Sequence, residues 1–201
     1  MSLSTAHLAT LVGSRLCHDL ISPIGAIQNG LELLALSGGD ASGPEMELIH
    51  ESCGNATARI RFFRVAFGSA GLTQMMGRRE VLSIFESLLK DSRTSVDWQI
   101  QADLPRAEVQ LAFLAFLCCE SALPQGGRVR FDRDAAGWSI GAEGPRLKVE
   151  QPLWDHLNGA APLENPTPDR VHFVLLAVLA EDRDQKLLAR LRDETLSIKI
   201  A

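Results

Sequence analysis

His18-Asp19-Leu20-Ile21-Ser22-Pro23-Ile24-Gly25-Ala26-Ile27-Gln28-Asn29-Gly30-Leu31-Glu32-Leu33-Leu34 reads as the middle of one long amphipathic helix. At about 100° per residue, Val12, Leu16, Leu20, Pro23, Ile24, Ile27, Leu31 and Leu34 fall into an apolar stripe. His18, Ser22, Gly25 and Asn29 fall on roughly the opposite side, a small polar surface around one imidazole. Pro23 removes a backbone donor, so a bend or a loosened turn is expected there, and the freed carbonyl is that of Asp19. An imidazole on the wet face with an acid directly after it suits nucleophilic chemistry better than packing. A chance surface histidine beside a proline is the plain alternative.

Working outward, the first helix is predicted from Ser4 or Thr5 to Leu36 and is broken by Ser37-Gly38-Gly39-Asp40-Ala41-Ser42-Gly43-Pro44. A second helix is predicted over 44–67, with Pro44 suited to its first position. Its stripe is Ile49, Cys53, Ala56, Ile60, Phe63 and Phe67, with Arg59, Arg61 and Arg64 outside it. Two helices with one apolar face each need more surface, and a second copy supplies it. A homodimeric four-helix bundle is therefore expected, packing against the rest of the same chain being the alternative.

A small-residue linker over 68–77 leads into an α+β pattern. Helices are predicted over 79–90, 107–123, 152–157 and 169–181. Strands are predicted over 94–101, 128–133, 137–141, 186–191 and 196–200, with a weaker one over 147–149. The turn Pro124-Gln125-Gly126-Gly127 and a loop over 159–168 punctuate the pattern. Together these make one mixed sheet covered by helices on one face, and two domains, 1–70 and 78–201.

The formal charge of −5 argues against a nucleic-acid partner, although Arg64, Arg78 and Arg79 offer a local patch. Cys17, Cys53, Cys118 and Cys119 lie in predicted helices and read as buried thiols, without CxxC spacing or a clustered histidine set for a metal. Neither a signal-like N-terminus nor a run of about 18 apolar residues is present, so a cytoplasmic protein that does not engage membranes is expected.

The run His18-Asp19-Leu20-Ile21-Ser22-Pro23-Ile24 resembles the His-Glu/Asp-Leu-x-Thr/Ser-Pro-Leu/Ile motif of sensor histidine kinase dimerisation domains, and Glu32-Leu33-Leu34 continues the likeness. The second half resembles a Bergerat-type kinase ATPase domain more loosely. Its Pro124-Gln125-Gly126-Gly127 matches the end of the kinase asparagine helix, but the asparagine positions fall on Leu114 and Cys118. Ala142-Glu143-Gly144-Pro145-Arg146 stands where kinases have Asp-x-Gly-x-Gly, and 159–168 holds no Gly-x-Gly lid. An intact histidine helix joined to a degenerate nucleotide domain is similar to histidine phosphotransferases of the ChpT type.

That resemblance implies a dimer that passes phosphoryl groups from the receiver domain of a hybrid histidine kinase to response regulator receivers, without ATP. It implies His18 as nucleophile with Asp19 beside it in a chemical or a structural role, and no cofactor on this chain. Magnesium is expected in the partner receiver's acidic pocket. Ser22, Gly25, Asn29, Arg59 and Arg64 are the candidate phosphoryl or receiver contacts. Competing readings are an active ATP-dependent histidine kinase, a non-enzymatic dimeric adaptor or kinase inhibitor, and an α+β protein outside any phosphorelay.

Overall fold

In the computed structural model, residues 4–36, 43–69, 71, 73–192 and 195–201 are described, and helix α1 runs over Thr5–Leu36 with Pro23 inside it. The part of the predicted break that covers 37–42 lies outside the described residues. Helix α2, Pro44–Ala66, starts with its proline at the first turn, has Glu45 and Glu47 near its positive end and carries Arg64 near its negative end. The two helices approach closely at Gly30, where a Cβ would come within 2.6 Å of Ile49 Cγ1. Glycine is required there by its neighbour and not by its backbone angles.

The rest of the chain supplies β1 (Met75–Met76), α3 (Arg78–Leu88), β2 (Thr94–Trp98), β3 (Leu104–Pro105) and α4 (Arg106–Ser121). There follow β4 (Gly127–Asp134), β5 (Gly137–Glu143), α5 (Gln151–Leu157), a 3₁₀ turn at Pro168–Arg170, α6 (Val171–Glu181), β6 (Leu187–Arg192) and β7 (Thr195–Ile200). Among the described residues the main sheet has five strands in the order β2-β4-β5-β7-β6, and only β2 and β4 run parallel. A parallel pair needs a long crossover, which α4 provides. Val129, Phe131, Trp138, Ile140, Leu196, Ile198 and Ile200 face the helices, while Arg128, Arg130, Ser139 and Lys199 face outward. That period of two is what a sheet with one covered face demands.

Gly126 (φ +81°) and Gly127 (φ +157°) turn the chain from α4 into β4. A Cβ on the first would strike the backbone of Arg93, and one on the second the carbonyl of Glu143.

Several sequence expectations need correction. No strand forms over 147–149; Leu147 and Val149 instead pack half-buried against the core. Part of the linker belongs to the second half, because Met75–Met76 pairs antiparallel with Leu104–Pro105. Cys17 and Cys53 are exposed, and only Cys118 and Cys119 are buried thiols. Burial pushes the Cys119 thiol up to about 12 and raises that of Cys118 as well, which leaves both inert.

The buried face of α2 is also broader than its predicted stripe. Phe62, Val65 and Ala66 are buried along with Phe63, and Phe62 stacks on Phe113 of α4 with centroids 4.8 Å apart. Phe85 and Phe116 meet Phe62 edge-on at 5.8 Å each. Each such side chain contributes roughly 2–3 kcal/mol on burial. The lower half of the hairpin thus shares one core with the second half, as the alternative reading expected. The upper part does not: Ile24 and Leu31 of the predicted stripe are 56% and 53% exposed, and Ile60 of α2 is 52% exposed.

Candidate functional site

The imidazole of His18 projects from α1 with 83% of its side chain exposed. Its Nδ1 lies 3.1 Å from Oδ1 of Asp19, whose own side chain is only 9% exposed. The other Asp19 oxygen, Oδ2, is ion-paired with Arg15 Nε at 2.8 Å, one helical turn back. Arg15 then donates from Nη1 to the backbone carbonyl of Asp169 at 3.0 Å. A carboxylate held in this way favours the tautomer with its proton on Nδ1. The lone pair then resides on Nε2, at the far side of an exposed ring. Asp19 thus lies between the ring of His18 and the guanidinium of Arg15.

Beside this arrangement a cleft of about 470 Å³ opens between α1, α2 and the end of α4, lined by Arg15, Asp19, Ser22, Asn55, Arg59 and Glu120 among others. Ser22 and Arg59 are thereby brought to the same place as Asp19, and both are exposed. Gly25 is half-buried, and an added Cβ there would meet nothing within 4 Å, so the wall next to the histidine stays low. Asn29 is exposed further along α1. Arg64 is exposed but does not line the cleft, and its backbone carbonyl accepts a bond from Arg106.

Two neighbours escaped sequence reasoning as site residues. Arg15 was visible there only as the i−4 partner of Asp19. Glu120 is the lone carboxylate at the end of the apolar run in α4, and that isolation was its signal. Burial raises its carboxyl above the usual range, Arg15 and Arg59 pull it back down, and Asp19 adds to the rise.

The chain thus carries an exposed imidazole beside a carboxylate on a helical hairpin that is joined to a sheet domain. A family model for the histidine phosphotransferase C-terminal domain matches residues 78–195. The protein phosphotransferase ChpT of Brucella abortus (strain 2308) is 32% identical over 193 residues, covering 93% of this chain and 91% of that protein. A solved bacterial phosphotransferase, also 32% identical, superposes with a TM-score of 0.82 over 100% of this chain and 98% of its own. The histidine kinase AdeS of Acinetobacter baumannii matches at a TM-score of 0.43 and 11% identity, over 91% of this chain and 95% of its own. The chain belongs to the histidine phosphotransferase family.

Proposed function

We propose that the chain relays a phosphoryl group between receiver-domain aspartates through a phosphohistidine at His18. The observation that carries this reading is the exposed imidazole whose Nδ1 faces a buried, anchored carboxylate. Nε2 attacks the phosphorus of an aspartyl phosphate in line. The N–P bond forms, the acyl O–P bond breaks, and its electron pair returns to the donor carboxylate. Asp19 holds the Nδ1 proton throughout and stabilises the ring as positive charge develops. A second receiver aspartate reverses the step. Ser22, Gly25, Asn29 and Arg59 offer the docked receiver a low, polar surface, and Arg64 extends it with positive charge.

The reading includes no ATP. Its support is that Leu114 and Cys118, at the positions where kinases carry asparagine, are completely buried in the core. Ala142, at the adenine-reading position, is buried in β5 and paired on both sides with Val129 and Leu196. Among the described residues no group of three or more His, Cys, Asp or Glu is placed to hold a metal. Magnesium belongs to the receiver in this scheme, where it would neutralise phosphoryl oxygens during transfer.

Mixing the purified chain with a phosphorylated receiver is expected to move acid-labile, base-stable phosphate onto it, and a second receiver should remove that phosphate. ATP alone should leave the chain unlabelled. Labelling from ATP would instead establish a kinase, and no labelling from any phosphorylated receiver would favour the adaptor reading.

The second copy is part of the same proposal. Ile21, Ile24, Leu31 and Ile60 are all more than half exposed on the hairpin, a cost that a four-helix bundle of two chains removes. Sedimentation is expected to return twice the chain mass, and Ile24→Glu to shift the protein toward monomer. A wild-type monomer at micromolar concentration would sink the bundle. No helix among the described residues is long and apolar enough to cross a membrane.

A further inference from the structure

We propose that Arg15 is a positioning residue for the transfer, tying the tautomer and pose of His18 to the second half of the chain through Asp19 and the Asp169 carbonyl. The inference rests on the phosphohistidine reading for its kinetic consequence, but its structural content stands apart from it. Arg15 is 19% and Asp19 9% exposed in the side chain, so this pair is screened by solvent far less than an ordinary surface ion pair. A guanidinium has separate donors in one plane. Nε lies 2.8 Å from Oδ2 of Asp19 as an ion pair, without hydrogen-bond alignment, while Nη1 donates to the carbonyl of Asp169 at 3.0 Å. A lysine ammonium, a single point of charge on a flexible stem, lacks that fixed fork.

The carbonyl itself is well held. Asp169 sits in the 3₁₀ turn Pro168–Arg170 at the entrance to α6. Arg170 pins that turn from two directions, through Glu150 Oε1 at 2.5 Å and Asp169 Oδ2 at 3.2 Å. The path is therefore continuous: Glu150 and Arg170, the turn, Arg15, Asp19, then Nδ1 of His18. The turn follows directly on the 159–168 segment, where a kinase would carry its lid. In this chain the neighbouring backbone is an anchor for the active-site helix. Without Arg15, Asp19 keeps its reach to the ring but loses the contact that fixes its second oxygen, and the ring samples both tautomers and more rotamers.

The test combines ¹⁵N spectroscopy of histidine-labelled protein with transfer kinetics on the full chain. In the wild type, neutral His18 is expected to be mainly protonated on Nδ1. In Arg15→Ala that preference should fall toward the mixture of a free imidazole. The rate of transfer from a saturating phosphorylated receiver should drop roughly ten- to hundredfold, with the receiver concentration at half-saturation changing less than about twofold. Arg15→Lys, which keeps the charge and loses the fork, should recover part of the rate. Arg15→Ala added to Asp19→Asn should cost nothing further, because both act through one path. A wild-type tautomer and rate in Arg15→Ala would overturn the proposal, as would a change confined to half-saturation, which would make Arg15 a receiver contact. Persistent labelling of a His18→Ala control would instead end the phosphohistidine reading while the tautomer measurement still decides the role of Arg15.

Discussion

His18→Ala is expected to accept no phosphoryl group from a receiver, a loss of at least roughly a thousandfold in transfer rate. Asp19 is turned inward onto Arg15, and Cys118 and Cys119 are sealed in the core with raised thiol pKa values, so none of these three replaces it. The same substitution should hardly alter stability, within about 0.5 kcal/mol. The ring is 83% exposed and, among the described residues, its one polar partner is Asp19, which keeps its ion pair with Arg15. Acid-labile phosphate on the chain and a thermal melt therefore form a paired readout. Loss of phosphate with an unchanged melt is the expected result; residual label at the wild-type rate would move the site elsewhere.

The second large effect lies at His172, which α6 buries to 2% exposure against Phe173. Among the described residues neither of its ring nitrogens has a hydrogen-bond partner. Burial, reinforced by the nearby Arg15 and Arg170 cations and opposed only by Asp169, pushes its pKa down to about 3. Unfolding returns the ring to a value near 6.5, so the unfolded chain binds the extra proton between those limits. The contribution of His172 to stability is thus complete above about pH 6.5. It is lost progressively as the pH falls toward 3, with a full span on the order of 4–5 kcal/mol. His172→Leu should flatten that acid limb. It should also add about 1 kcal/mol at neutral pH, since it removes two buried, unpaired nitrogens. Urea melts at pH 7 and pH 4.5 on both proteins would check this. An equal loss in the two proteins on acidification would show that His172 is not the titrating group.

His172 and the Arg15 path share neighbours, which ties stability to function in this region. Arg15 and Arg170 both act on His172, and both hold the turn that leads into α6. Charging the buried ring would place a third cation beside them. Acid conditions are therefore expected to loosen the contact between α1 and α6 before the sheet.

The residues of α1 carried most of the site in plain view. Helical periodicity put His18 on the wet side and the apolar stripe opposite, and nearest-turn geometry already allowed Arg15 to meet Asp19. Periodicity also delivered the order of helices and strands in the second half, because alternating and four-residue apolar patterns are local properties of a chain. It overreached at 147–149, where apolar residues pack onto the core without a neighbouring strand to pair with. The stripes of the hairpin were legible as apolar, but which part of each meets its own chain and which stays open was not. Gly30 under Ile49, Phe62 against Phe113, and the exposure of Ile24 and Cys53 depend on where distant elements come to rest.

By itself, the sequence determined that His18 faces solvent beside an acidic neighbour, and the main succession of helices and strands, since each follows from spacing along one helix or strand. Only the tertiary structure decided that the carbonyl of Asp169 reaches Arg15, that Glu120 lines the cleft, and that His172 is buried within electrostatic reach of Arg15. Those contacts join residues some 100 to 150 positions apart, and no local periodicity encodes a meeting that depends on how whole helices pack.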